Sequence, residues 1–73
     1  MLAPNQIRAA RALLGWSGSA LAAAAGVSLS TVRRIEEGSQ GSILARNAIA
    51  RAFELAGVRF IEGGATLEAK ASA

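Results

Sequence analysis

Apolar residues recur with a helical period through most of this chain and switch to a strand period near its end. Ile7, Ala10, Arg11 and Leu14 fall on one face at i, i+3, i+4 and i+7, with Leu13 widening the stripe. Pro4 suits the first turn of a helix, where a missing amide proton would be unpaired anyway, and Gly15 suits its end. Arg11 is the odd member of this apolar face, because an unpaired buried charge is very costly. It needs either a carboxylate partner or a phosphate.

Two short helices follow. Ser17 reads as the N-cap of the first, with Trp16 and Leu21 as its hydrophobic staple, and Ala20 and Ala22 to Ala25 favour helix while keeping its surface slim. Gly26 supplies the left-handed residue that ends it. Ser28 then caps a third helix stapled by Val27 and Val32. That helix is expected to bury Val32 and Ile35, expose Leu29, Ser30, Arg33 and Arg34, and stop at Gly38. A fourth spans Ile43 to Ala56 and ends at Gly57, with Ala45, Ala48, Ile49, Ala52, Phe53 and Ala56 as its core stripe. Arg46, Asn47, Arg51 and Glu54 lie largely outside that stripe. Leu44 and Leu55 lie off it too, and either complete the core or form part of a dimer contact.

From Val58 the period becomes two. VRFI and TLEA flank EGGA, a two-residue hairpin signal that puts Gly63 and Gly64 at the tip. In that register Phe60 faces Leu67, Val58 faces Ala69 and Arg59 faces Glu68, all sensible cross-strand pairs. An isolated hairpin is marginal in water, so this one must pack on the helices or join strands of a second chain. Val58, Phe60, Ile61 and Leu67 are its candidate dimerisation residues. The expected organisation is a helical domain over 1–57, the hairpin over 58–70 and a frayed tail over 71–73.

Composition narrows the chemistry. Seventy-three residues make one domain, of a size that buries only about 60% of the surface its unfolded chain exposes. There is no cysteine and no histidine, so disulfides, thiolate metal sites and most familiar catalytic constellations are excluded. No enzyme, metal or cofactor is expected. No apolar run is long enough to span a bilayer, and the N-terminus lacks the features of a signal peptide, so the expectation is a soluble cytoplasmic protein without a membrane partner. The net charge of +3 divides unevenly: residues 1–35 carry Arg8, Arg11, Arg33 and Arg34 and no acid, whereas four bases meet five acids from Glu36 onward. The N-terminal half is the part that would attract a polyanion.

Residues 18–37, GSALAAAAGVSLSTVRRIEE, resemble the helix-turn-helix of the Cro and lambda-repressor-like (XRE-type) proteins. Ala22, Gly26, Val32 and Ile35 match the motif's small residue, turn glycine and apolar anchors. RALLGWS, LAAAAGVS and STVRRIEEG resemble the family as well, and the likeness extends over roughly residues 4–61. It implies a mainly α fold, a four-helix lambda-repressor-like DNA-binding domain with a short C-terminal β-hairpin, whose recognition helix covers about 28–37. It also implies a structural salt bridge between Arg11 and Glu36.

Such a helix lies in the major groove with its N-terminal side chains at base edges. Leu29, Ser30, Arg33 and Arg34 are the candidate base-contacting residues, since a guanidinium can fork onto guanine and an apolar side chain can meet a thymine methyl. Ser17, Gly18, Ser19, Ser28, Ser39 and Gln40 are the candidate phosphate-contacting residues, although Ser28 first serves as a cap and the loop around Ser39 also reads as a plain polar connector. The chain departs from the family at Gly18, where a glutamine commonly touches phosphate. Backbone amides or Ser19 would have to replace that contact. The implied function is a sequence-specific regulator, a repressor, acting as a homodimer on palindromic double-stranded DNA at the bacterial nucleoid. A protein-interaction module or antitoxin-like regulator of the same fold, with weak or no DNA binding, is the alternative.

Overall fold

The computed structural model describes residues 2–68. Four helices, α1 (Pro4–Leu14), α2 (Gly18–Ala25), α3 (Leu29–Glu36) and α4 (Ile43–Leu55), precede the strands β1 (Val58–Ile61) and β2 (Gly64–Leu67). Each helix start is closed by a local bond. Ser17, Ser28 and Ser42 accept the amides of Ala20, Thr31 and Ala45 at 3.0, 3.1 and 3.0 Å, satisfying donors that the first turn leaves free. At α1 the Gln6 side-chain carbonyl takes the amide of Ala3 at 2.9 Å instead. Gly26, at φ 72°, ends α2 and lets Val27 donate back to the Ala22 carbonyl at 3.0 Å, a reversal that a side chain would oppose.

The core is one cluster in which Ile7, Leu21, Val32, Ile35, Ile49 and Phe53 are essentially inaccessible. Phe53 is its centre: Trp16 stacks on one side with centroids 5.8 Å apart, and Phe60 meets it edge-on at 5.7 Å. Trp16 therefore anchors the α1–α2 connection to α4. Leu13 does not widen the α1 stripe and remains exposed, because it lies beyond the arc that the other elements cover. Leu44 and Leu55 are also exposed, at 82% and 67%, and do not complete the core.

The hairpin is displaced by two residues from the register expected from Gly63 and Gly64. Its tip is Glu62–Gly63, and the paired residues are Val58 with Leu67, Arg59 with Thr66, Phe60 with Ala65 and Ile61 with Gly64. The turn uses one left-handed residue, Gly63 at φ 79°, so Gly64 is free to begin β2. Glu68 donates to the Gly57 carbonyl at 2.8 Å and pins the base of the ladder. Gln6 donates from its amide nitrogen to the Ile61 and Gly64 carbonyls at 2.8 and 3.3 Å and pins the tip. A shift of two preserves which face each side chain takes. Val58 and Phe60 thus still point inward, and Arg59 still reaches Glu68 diagonally at 2.9 Å. Ala69, the expected partner of Val58, and the tail over 71–73 lie outside the described residues.

Burial revises the expected dimerisation set. Val58 is 4% exposed within its own chain, so it has no surface to give a second one. The cause is the packing of β1 against α4, which brings Val58 into the core around Phe53. Phe60 is half-buried on Phe53, while Ile61 and Leu67 are exposed.

Candidate nucleic-acid interface

The four arginines of the acid-free N-terminal half have different partners. Arg11 forks onto Glu36, with Nε to Oε2 at 2.8 Å and Nη2 to Oε1 at 2.9 Å, and its Nη1 reaches the Trp16 carbonyl at 3.2 Å. Both side chains are largely buried, at 24% and 13% exposure, which is where a bidentate pair gains most over a solvated one. Arg8 donates to the main-chain carbonyl of Glu36 at 2.7 Å, adding a positive charge at the α3 C-terminus, where the helix dipole favours it. Two arginines of α1 thus clamp the end of α3. The role of Arg8 has no signature in local sequence, since its partner lies 28 residues away.

Arg33 and Arg34 are exposed, and neither has an ion pair or side-chain hydrogen bond among the described residues. Being adjacent on a helix, they diverge. Arg33 shares a shallow groove with Ser17, Gly18, Ser19 and Leu29, and Arg34 lines a second one with Ser28, Thr31, Ser39 and Ser42. Ser30, exposed in the first turn of α3, lies 3.2 Å from the Ser28 hydroxyl, which also meets that of Thr31 at 2.8 Å. Thr31 was absent from the expected set. Its place three residues after a capping serine is the signal that would have identified it.

Leu29 differs from expectation. It is half-buried and packs against the core, and a Cβ built on Gly18 would lie 3.1 Å from its Cδ1. Leu29 therefore leans over the bare backbone of Gly18, filling space that a larger residue there would need. The amides of Gly18 and Ser19, in the first turn of α2, have no partner of their own within the helix. Ser39 and Gln40 are exposed on the α3–α4 loop, and Gln40 lines neither groove. Ser42 accepts from Ala45 and is the α4 cap.

Among the described residues no cluster of three or more potential metal ligands occurs, and no helix is long and apolar enough to cross a membrane. The helix-turn-helix family model matches residues 7–55, within the stretch whose motifs resemble XRE-type proteins. No match is found among curated proteins or among solved structures. With α2, Gly26 and α3 in helix-turn-helix order inside that matched stretch, the chain belongs to the XRE-type helix-turn-helix family of DNA-binding regulators.

Proposed function

We propose that the chain is a sequence-specific, cytoplasmic transcriptional repressor that binds a palindromic operator as a homodimer, with one α3 per half-site in the major groove. The observation that carries this reading is the division of the arginines: Arg8 and Arg11 are occupied in holding α3, and Arg33 and Arg34 are exposed on its outer face. Ser30 and one or both of these arginines read base edges. The α2 amides, Ser17, Ser19, Ser39 and Gln40 contact phosphates and set the register, a division of labour general to such interfaces. Leu29, half covered, adds only the apolar contact its free edge allows.

The test is selection of bound duplexes from a random pool, followed by titration at several salt concentrations. A palindrome with half-sites about 34 Å apart is expected, with affinity falling steeply with salt. Substituting Arg33 and Arg34 together by alanine flattens the salt slope by about one unit for each arginine that contacts phosphate. Salt-independent binding, or binding indifferent to that double substitution, rejects the proposal. A second reading, a protein-interaction module of the same fold, is favoured by Gly18 in the glutamine position and by the exposure of Ile43 and Leu44. Co-purification of a protein partner with no duplex selected would favour it.

A further inference from the structure

Away from α3, a groove of about 480 Å³ opens between the start of α1, the outer side of α4 and the end of β1. Leu2, Ile43, Phe60 and Ile61 supply its apolar walls, and Arg46 and Glu62 both line it. No residue of α2 or α3 takes part, so anything seated here leaves the recognition helix free.

Two features of the groove are unresolved within one chain. Arg46 is half-buried and, among the described residues, has no carboxylate partner: its Nη1 holds the Leu2 carbonyl at 3.2 Å, and its buried Nε has no acceptor there. Glu62, at the hairpin tip, is exposed and forms no ion pair among the described residues. Opposite charges line one groove without meeting. Around them Ile43 is 71% and Ile61 48% exposed, an apolar rim that remains in water in the monomer.

We propose that this groove is the homodimer interface, each protomer inserting its hairpin tip into the groove of the other so that Glu62 meets Arg46 reciprocally across a two-fold axis. This inference rests on the dimer reading above and assigns it a surface. A two-fold interface must be self-complementary, and a groove lined by both Arg46 and Glu62 satisfies that requirement from one chain. The apolar contact is Ile61 against Ile43 and the free edge of Phe60. Val58 and Leu67, members of the expected dimerisation set, lie outside the groove.

The experiment is sedimentation or light scattering of the full chain over a concentration series, for the wild type, Arg46→Glu, Glu62→Arg and the double exchange. Circular dichroism checks that each variant is folded, and Glu62→Arg, at an exposed turn, spares the core. Each single reversal puts like charges together twice per dimer and should weaken association by roughly 100-fold or more. The double exchange restores opposite charges and should recover most of that loss. A folded dimer indifferent to the single reversals, or a double exchange no better than either, overturns the assignment while leaving the dimer reading intact. A wild type that stays monomeric at every concentration and on duplex DNA overturns both, whatever else occupies the groove.

Discussion

Glu36 fastens the end of α3 through two separate groups. Its carboxylate receives the fork from Arg11 and its main-chain carbonyl receives Arg8. Replacing it by glutamine removes the charge and keeps the carbonyl, leaving Arg11 largely buried beside a neutral amide. We expect Glu36→Gln to cost about 2 kcal/mol, below the range for fully buried pairs because some solvent reaches this one. Urea unfolding measures it. Arg8→Ala, which loses an exposed bond at the helix end, should cost about 0.5 kcal/mol. The need of Arg11 for an anion is legible from its place on an apolar stripe. The demand for Arg8 is not, because only the approach of α1 to the α3 C-terminus creates it. Gly18 and Leu29 form a second pair whose logic is spatial. Gly18→Gln alone must push Leu29 aside, whereas Gly18→Gln with Leu29→Ala makes room for a neutral phosphate donor. The double variant should bind all duplexes somewhat more tightly with an unchanged salt slope, since no counterion-releasing charge is added. Duplex titration at two salt concentrations checks this.

Elements differ in how far local chemistry specifies them. The helices are set by contacts three or four residues apart: Ser17 with Ala20, Ser28 with Thr31, Ser42 with Ala45. Those spacings are visible in the chain, and the α2–α3 turn follows from Gly26. The hairpin is specified otherwise. Its alternation marks the strands and their faces, but either of two glycine placements closes a turn, and the choice is made by Gly57 at the base and Gln6 at the tip. Gln6 is 55 residues from Ile61. Gln6→Ala should therefore loosen the tip while sparing the helices, read as faster amide hydrogen exchange around Glu62 and Gly63 with core protection unchanged. Equal protection in the variant would show that the turn holds itself.

Across the whole molecule, a small core centred on Phe53 carries two surfaces that do not overlap, the outer face of α3 and the groove by the hairpin tip. Dimerisation through the groove would link stability to concentration. The unfolding midpoint should rise with protein concentration in the wild type and be flat in Arg46→Glu, a mass-action effect that a thermal melt detects. The chain by itself determined the four helices, the caps at Ser17 and Ser28, the turn at Gly26 and most of each apolar face. All of these depend on near neighbours and on residue identity. Tertiary structure alone decided the hairpin register, the withdrawal of Val58 and part of Leu29 from the surface, the stacking of Trp16 on Phe53, and which arginines are occupied. Those outcomes depend on groups far apart in sequence, whose meeting is a property of the packed fold and of no local pattern.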